Sequence, residues 1–437
     1  MGSSARTAII PELVIVNENE TKKNSCIIVE GGRITKVDDA AKYREYGPEF
    51  VIKEEHLAAS PSFVNAHTHG SERLLSGLGD GYSLVEWLEK VVWPACKDVD
   101  SDEAYNIGRL FASESIASGI GLFNDMFVDT GQTLFMDGLA KSYADSGVRA
   151  LVGRGVAEKA GNAETAIKDS LGAAKNWHGH EGRIFITIAP SLIHANSEGM
   201  LVRLRELASK EKMRIHIHVA EVMSEYRFMK QIHGLTSVGY LDKIGFLGKD
   251  VMAAHLVWLG DGDIGILRRR GVSGLYNPLS NARLGDGIPP VCAMAESGMN
   301  IGIGTDGSAS SDNQDMFAAM RCASFLPRAF YSDGALLTTK NVFAMATRLG
   351  YKALGIRGGE LKEEMPADIV LVDMRNPSLY PVNDIVAQIV LSAHPGVVRG
   401  TIVDGKVLYY GGEFKTLDWR NLVSKIDGIV ARKGVAK

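Results

Sequence analysis

The chain has 437 residues, a formal net charge of −4 at pH 7, 45% hydrophobic and 23% charged residues. These values are those of an ordinary globular protein, and they give no electrostatic reason to expect nucleic acid or an acidic membrane surface as a partner. No stretch is long and apolar enough to predict a membrane span. The four cysteines form no CxxC pair, which argues against a disulfide framework and favours a reducing compartment, so we expect a cytoplasmic location.

The first segment, residues 1–57, has a pattern of short strands and turns. Residues 26–30 and 33–37 flank Gly31-Gly32, which is typical of a β-hairpin. We expect this segment to form part of an accessory β domain.

Residues 58–358 alternate short apolar runs with longer amphipathic stretches. The eight runs are 62–69, 120–127, 149–156, 183–190, 214–220, 251–259, 272–278 and 300–305. Helix-like segments such as 101–118 and 197–212 lie between them. Eight strand–helix alternations predict an α/β fold with a closed (β/α)8 barrel of the TIM type rather than an open sheet.

After residue 359 the pattern returns to short strands, at 367–373 and 398–410, with Asp404-Gly405 as a predicted hairpin turn. We expect residues 359–437 and 1–57 to combine into one small accessory β-sandwich domain beside the barrel.

The first motif with chemical potential is Asn65-Ala-His67-Thr-His69, at the end of the first barrel strand. Residues two apart on a strand share a side, so both histidines would point into the barrel at its C-terminal mouth, where barrel enzymes place their chemistry. Two such imidazoles suit one divalent metal. The spacing alone is weak evidence, because His178-Gly-His180 repeats it where we predict an exposed loop.

The fifth strand ends in His216-Ile-His218-Val-Ala-Glu221. His218 lies nearer the mouth and is the better metal ligand, whereas His216, one layer deeper, is expected to be a hydrogen-bonded interior residue. Glu221 could move a proton between an activated water and a substrate, as hydrolysis requires. It could equally be the first-turn acid of the next helix, and the pattern leaves both open.

His255 ends the sixth strand, where a buried core histidine is the default interpretation, and Asp306 follows the eighth strand. The glycines around Asp306 spell GxGxxG. A dinucleotide loop needs a strand–turn–helix unit with an acid about 20 residues further on, so we reject that hypothesis and expect Asp306 to hold a metal. Three histidines and one carboxylate with an open position are typical of a catalytic zinc site.

Together these motifs resemble the amidohydrolase superfamily. Within it they are most similar to the branch of S-adenosylhomocysteine/methylthioadenosine deaminases, with guanine deaminase and the s-triazine hydrolases as relatives. The resemblance covers nearly the whole chain and rests on residues 65–69, 85–88, 216–221, 253–255, 276–281 and 304–308. It implies a metal-dependent hydrolytic deaminase of an adenosine derivative: S-adenosylhomocysteine, methylthioadenosine or adenosine. The alternative is a guanine-, pterin- or s-triazine-like ring that loses amine or halide.

Matched by motif position, the resemblance assigns one metal to four ligands: His67, His69, His218 and Asp306. It implies that His255 hydrogen-bonds the attacking hydroxide, that Glu221 shuttles the proton, and that Asp306 helps to pass it to departing ammonia. Binuclear relatives use a carboxylated lysine on the fourth strand, and residues 183–190 contain no lysine. One divalent ion is therefore expected, zinc first, with iron or manganese also suited to the set.

The resemblance also implies substrate contacts. Glu86 matches a glutamate that contacts ribose hydroxyls, and Arg154 matches an arginine that holds the substrate; otherwise they would be a solvated helix residue and a rim ion pair. Ser191 stands where the deaminases typically have histidine, a role that His194 could take over. Tyr276 replaces another family histidine. Both departures touch the predicted pocket and spare the metal.

The expected partner is a small-molecule substrate, and we expect the chain to form a homo-oligomer. A metal-binding protein without turnover is the alternative from another class. It is disfavoured because a degenerate barrel has no reason to keep the proton shuttle Glu221 as well as the ligands.

Overall fold

The computed structural model describes residues 5–96, 99–127 and 135–434. Its N-terminal segment contains the strands β1 (Thr7–Ile10), β2 (Leu13–Asn17), β3 (Glu20–Lys23), β4 (Ser25–Glu30), β5 (Arg33–Asp39), β6 (Phe50–Lys53) and β7 (Leu57–Pro61). The predicted hairpin is confirmed: β4 and β5 pair antiparallel, and Gly31 and Gly32 both adopt the positive φ that such a tight turn requires.

Eight parallel strands follow: β8 (Phe63–Thr68), β9 (Ile120–Phe127), β10 (Arg149–Val156), β11 (Ile184–Pro190), β12 (Ile215–Val219), β13 (Val251–His255), β14 (Ser273–Tyr276) and β15 (Ile301–Ile303). They lie side by side in chain order. The first and last strands meet where the Asp306 N–H donates to the His67 carbonyl at 2.9 Å. The predicted α/β barrel is confirmed, with a strand in each of the eight runs.

Helices surround the barrel: α1 (Leu84–Trp87), α2 (Trp93–Cys96), α3 (Ser101–Ala117), α4 (Phe135–Ser146), α5 (Ala163–Trp177), α6 (Glu198–Glu211), α7 (Met223–His233), α8 (Ser237–Lys243), α9 (Asp263–Arg270), α10 (Pro278–Leu284), α11 (Val291–Glu296), α12 (Met316–Tyr331), α13 (Thr339–Ala346) and α14 (Arg348–Ala353). A π-helical turn, Leu88–Val92, joins α1 to α2. No helix of the described ranges is both long and apolar enough to cross a bilayer.

The barrel interior is filled in layers. Val64, Leu122 and Leu275 form one buried apolar cluster with Tyr351 and Leu354, so α14 and the turn after it pack against the lower interior. On β12, Ile215 and Ile217 belong instead to the large core beneath the helices, which leaves the alternate positions for inward-facing side chains. This alternation places the two histidines of β12 inside the barrel.

The C-terminal segment adds β16 (Ile369–Asp373), α15 (Ile385–Leu391), β17 (Val398–Val403), β18 (Lys406–Tyr410), β19 (Glu413–Phe414) and α16 (Trp419–Lys433). A four-stranded sheet has the order β5-β4-β1-β6, and a seven-stranded sheet has the order β19-β18-β17-β16-β7-β2-β3. One apolar cluster joins Ile9 and Ile27 of the first sheet to Val14 and Ile369 of the second. Both chain ends therefore build one accessory β domain, as predicted.

The C-terminal part of this domain contains helices that the sequence pattern does not predict. Only strands are expected after residue 359, yet α15 and α16 lie there. The helical signals of α16 are an Asp418 side chain that accepts the Asn421 N–H, buried Leu422 and Ile429 two turns apart, and Gly434 at its C-terminal end. The domain boundaries at 57/58 and 358/359 stay a prediction. Strand β7 crosses the first of these boundaries and pairs with β16 in the accessory sheet.

A buried ion-pair network joins the barrel to the accessory domain. Asp368, just before β16, accepts hydrogen bonds from Arg149 Nε at 2.7 Å, Arg149 Nη2 at 3.3 Å, the Tyr351 hydroxyl at 2.8 Å and the Asp404 N–H at 2.7 Å. The Arg149 guanidinium also contacts the Asp404 carboxylate at 2.8 Å. Because Arg149 and Asp368 are both buried, the charges on these two residues depend on each other.

Candidate metal centre and active site

Four predicted metal ligands converge at the C-terminal ends of β8, β12 and β15. The imidazole nitrogens of His67, His69 and His218 lie within 4.8 Å of one another, and all three side chains are buried. The Asp306 Oδ1 atom lies 3.1 Å from His67 Nε2 and 3.2 Å from His69 Nε2. The structure thus brings together residues from three strands that are far apart in the sequence.

Hydrogen bonds orient each imidazole so that Nε2 faces the shared centre. His69 Nδ1 donates to the Met126 carbonyl at 2.6 Å, and His218 Nδ1 donates to the Ser191 carbonyl at 2.7 Å. His67 Nδ1 pairs with His216 Nε2 at 2.7 Å, so His216 is the hydrogen-bonded interior residue that the sequence predicts. A proton on Nδ1 leaves a lone pair on Nε2, which is the arrangement that a metal ligand needs.

Asp306 is held in a backbone conformation that non-glycine residues rarely adopt. Its φ is +68°, and its carbonyl accepts the Thr68 hydroxyl at 2.9 Å while its N–H bonds to β8. This geometry turns the carboxylate towards the histidines. Burial opposes ionisation, but the neighbouring His67 and His69 imidazoles hold the pKa of Asp306 well below its usual range.

The donor set passes a physical test for a metal. His67 Nε2 and Asp306 Oδ1 are buried and, among the residues described, neither has a hydrogen-bond partner, although they lie 3.1 Å apart. Burial lowers the pKa of His67 to about 4, so that its ring stays neutral and able to coordinate. Donor separations near 3 Å are compatible with bonds of about 2.0–2.2 Å to one tetrahedral zinc. These residues fit a divalent metal.

Glu221 and His255 lie beside this centre. The Ala220 and Glu221 N–H groups both donate to the Glu225 carboxylate, at 2.8 and 3.3 Å, and fold the turn after β12. Glu221 Oε1 then lies 3.5 Å from His255 Nε2. Burial raises the pKa of Glu221 to about 8, which suits a group that takes and returns a proton near neutrality. Their catalytic roles stay predictions.

The predicted substrate-binding residues do not all lie at the metal centre. The Ser191 carbonyl orients His218, and His194 lies in the following turn, half-buried, with a pKa that burial lowers. Arg154 is fully buried, donates to Asp169 Oδ2 at 2.9 Å and has its guanidinium 4.7 Å from the Phe135 ring centroid. Its substrate contact stays a prediction.

Glu86 is exposed and engages residues on either side of its own short helix. Its carboxylate accepts hydrogen bonds from Lys90 Nζ at 3.0 Å and the Ser83 hydroxyl at 2.9 Å. A role for Glu86 in contacting ribose also stays a prediction. The loop predicted around His178 and His180 is confirmed, because both residues lie in an exposed turn after α5. The glycines near Asp306 do not open a helix, since α12 begins only at Met316, and this agrees with the rejection of a dinucleotide loop.

Three acidic or amide residues near the centre are missed by the sequence reasoning. Asn281 Oδ1 accepts from His255 Nδ1 at 2.8 Å. Asp286 brings a carboxylate close to Glu221 and His255. Glu72 is buried behind the ligands, and a Cβ at position 307 would overlap its carboxylate, so Gly307 has a steric reason. Asn281 lies in a motif that the sequence singles out, whereas spacing gives no signal for Asp286 or Glu72.

Similar proteins are known both by sequence and by structure. A 5′-deoxyadenosine deaminase of Methanosarcina mazei is 38% identical over 406 residues, 92% of each chain. A 5-methylthioadenosine/S-adenosylhomocysteine deaminase of Dictyoglomus thermophilum is 33% identical over 412 residues, 94% of this chain and 95% of the relative. The crystal structure of a zinc-bound adenosine deaminase from Xanthomonas campestris superposes with a TM-score of 0.92 at 26% identity, covering both chains completely.

The matched region coincides with the part of the fold that builds the site. The model of the amidohydrolase family matches residues 58–408, which include every barrel strand and all four predicted metal ligands. The family match over the barrel agrees with the buried His/Asp set at its C-terminal mouth. It also agrees with the relatives that are similar over more than 90% of the chain. The chain belongs to the amidohydrolase family.

Proposed function

We propose that this protein is a zinc-dependent hydrolytic deaminase of an adenosine derivative, such as 5′-deoxyadenosine, methylthioadenosine, S-adenosylhomocysteine or adenosine. The observation that supports it most is the placement of the Glu221 carboxylate 3.5 Å from His255 Nε2, beside a buried set of three histidines and Asp306. The names of the relatives point to the purine ring. Zinc is supported by the ligand set and by the ion in the similar Xanthomonas structure.

His67, His69, His218 and Asp306 would hold the metal. When bound, a divalent metal lowers the pKa of a water towards neutrality and so supplies a nucleophile. Glu221 would take a proton from the attacking water and give it to the ring nitrogen beside the amino-bearing carbon. The water oxygen would then add to that carbon, its remaining proton would pass through Asp306 to the exocyclic nitrogen, and this nitrogen would leave as ammonia as its bond to the carbon breaks. The product ring therefore carries a carbonyl where the substrate ring carried its amine.

His255 orients the attacking oxygen in this scheme. Asn281 fixes its ring through Nδ1, so Nε2 faces the space shared with Glu221. The 3.5 Å between Glu221 Oε1 and His255 Nε2 supports a shared role, in which Glu221 would move the proton of the attacking oxygen and His255 would hold that oxygen. Such a pair acts only if the imidazole and the carboxylate both keep their positions during the reaction.

The remaining parts of the proposal concern assembly and location. We propose a homo-oligomer, supported by the exposed Phe325, Phe330 and Tyr331 on α12. We propose a cytoplasmic location, supported by four cysteines that are all free thiols, two of them buried.

The test is ammonia release by zinc-loaded protein from adenosine, 5′-deoxyadenosine, methylthioadenosine, S-adenosylhomocysteine, guanine, a pterin and an aminotriazine. Ammonia from the adenosine group is expected. Ammonia only from the other rings would replace the substrate class, and silence across the panel with zinc bound would refute deamination.

The Glu221→Gln variant tests the proton carrier. We expect kcat to fall by about 10²–10⁴, because glutamine keeps the shape of the side chain but cannot carry a proton. Glu206→Gln, at an exposed position on α6, is the matched control and should keep full activity. Near wild-type turnover by Glu221→Gln with zinc bound would contradict the assignment.

A further inference from the structure

Asp286 extends the active site in a direction that the mechanism does not use. It lies between α10 and α11, 4% exposed, and one of its carboxylate oxygens lies within 4.8 Å of ligand atoms of both Glu221 and His255. The three side chains thus form a second group of potential ligands. It adjoins the first centre, because a ring nitrogen of His255 also lies within 4.8 Å of ligand atoms of His67 and Asp306.

Each of the three groups can offer a lone pair to a cation. His255 Nδ1 donates to Asn281, so His255 Nε2 offers a lone pair, and Glu221 and Asp286 offer carboxylate oxygens. Within the described part of the chain, His255 Nε2 and Asp286 Oδ2 are buried without a hydrogen-bond partner. Burial raises the pKa of both Glu221 and Asp286 to about 8, and neighbouring carboxylates add to the rise.

The backbone holds Asp286 in this position. Its N–H donates to the Asn281 carbonyl at 3.0 Å, and its own carbonyl accepts Trp258 Nε1 at 2.8 Å. Gly287 follows with φ +122°, and a Cβ there would lie 3.0 Å from Val257 Cγ1. The loop is therefore closely packed around Asp286. The group of Glu221, His255 and Asp286 is buried within the fold and is not an exposed acidic cluster.

We propose that Glu221, His255 and Asp286 form a second, weaker divalent-cation site. One imidazole and two carboxylates suit zinc, and the 3.5 Å between Glu221 Oε1 and His255 Nε2 is compatible with two ligands of one ion. Asp286 completes the set with a carboxylate oxygen within 4.8 Å of a ligand atom of each of these two residues. The affinity is lower than at the first centre because that centre has four ligands already close together.

Occupation of this site has a consequence that rests on the proposed function. A cation bound there engages the Glu221 carboxylate and the His255 lone pair, the two groups that handle the attacking oxygen. Excess zinc therefore inhibits the enzyme that needs zinc, and Asp286 sets the concentration at which inhibition begins.

The test measures bound metal directly. Chelator-treated protein is dialysed against increasing free zinc, and zinc per chain is determined in the wild type, in Asp286→Asn and in Asp261→Asn, which alters an exposed loop carboxylate. The wild type and Asp261→Asn should bind two ions, one tightly and one weakly. Asp286→Asn should keep the tight ion, which also reports a folded site, and should bind the second at least about tenfold more weakly.

Activity measured in parallel separates the possible failures. Inhibition by excess zinc should require at least about tenfold more zinc in Asp286→Asn than in the wild type. One zinc per chain in the wild type, or two of unchanged affinity in Asp286→Asn, overturns the second site. A lower rate for Asp286→Asn with unchanged zinc binding and unchanged inhibition also overturns it and makes Asp286 a substrate contact. If no substrate yields ammonia, the binding result still decides the site, while the proposed function fails separately.

Discussion

Replacing Asp368 by asparagine should destabilise the protein strongly, because Asp368 is the main counter-charge of a buried arginine. Its carboxylate accepts four hydrogen bonds, two of them from Arg149, which is 5% exposed. Breaking a buried ion pair on one side costs about 3–5 kcal/mol. Asp404 still contacts the guanidinium, so the lower end applies, about 3 kcal/mol, or roughly a 100-fold larger unfolding constant.

The measurement is urea unfolding followed by circular dichroism. Asp373→Asn, at the half-exposed end of the same strand β16, is the matched control, with an expected loss below about 1 kcal/mol. The double variant Arg149→Met/Asp368→Leu removes both charges and should lose less stability than Asp368→Asn alone. A loss for Asp368→Asn no larger than that of the control would refute the argument from burial.

Three other predictions concern the site and the surface. Asn281→Leu should lower kcat/KM by about 10–100-fold with zinc content unchanged, because the His255 ring loses the acceptor of its Nδ1 proton; loss of zinc instead would contradict this role. Chelation of the metal should abolish ammonia release, and added zinc should restore it; activity that survives complete removal of metal would exclude the proposed mechanism. Arg399 holds the pKa of Glu54 below 4.5, so their half-exposed pair stabilises the folded state above about pH 4.5 and less as pH falls below it. The stability deficit of Glu54→Gln should therefore be present at pH 7 and shrink in acid, and a deficit independent of pH would contradict the assignment.

The barrel and the convergence of the candidate ligands at its mouth could be predicted because their signals are local and periodic. Alternation along a strand brings His216 and His218 to one side, and the end of a predicted strand marks the mouth. The distinction between these two histidines, ligand and interior partner, also follows from depth alone, and the 2.7 Å contact between His216 and His67 agrees with it.

Other parts of the site depend on contacts that no local pattern contains. Asp286 approaches Glu221 only because the loop after α10 packs against Trp258, which follows another strand. Arg154 looks like a rim residue by its position at the end of a strand, yet its partners Asp169 and Phe135 come from neighbouring helices. Helix α16 is missed because the strands before it dominate the pattern of the last segment.

The pairing of β7 with β16 also sets an order of events during synthesis. Leu57 lies opposite Asp373, so β7 leaves the ribosome about 300 residues before its partner exists. At about 5–20 residues per second this interval lasts from roughly 15 seconds to a minute, during which the apolar strand Leu57–Pro61 has an unsatisfied edge next to the growing barrel. The strand that begins the barrel follows it after a single residue, Ser62, so the nascent first strand and this edge emerge together. In a newborn chain of this protein, β7 therefore has no partner on this side until residues 369–373 have been synthesised, and a translational stop before residue 369 would leave it permanently unpaired there.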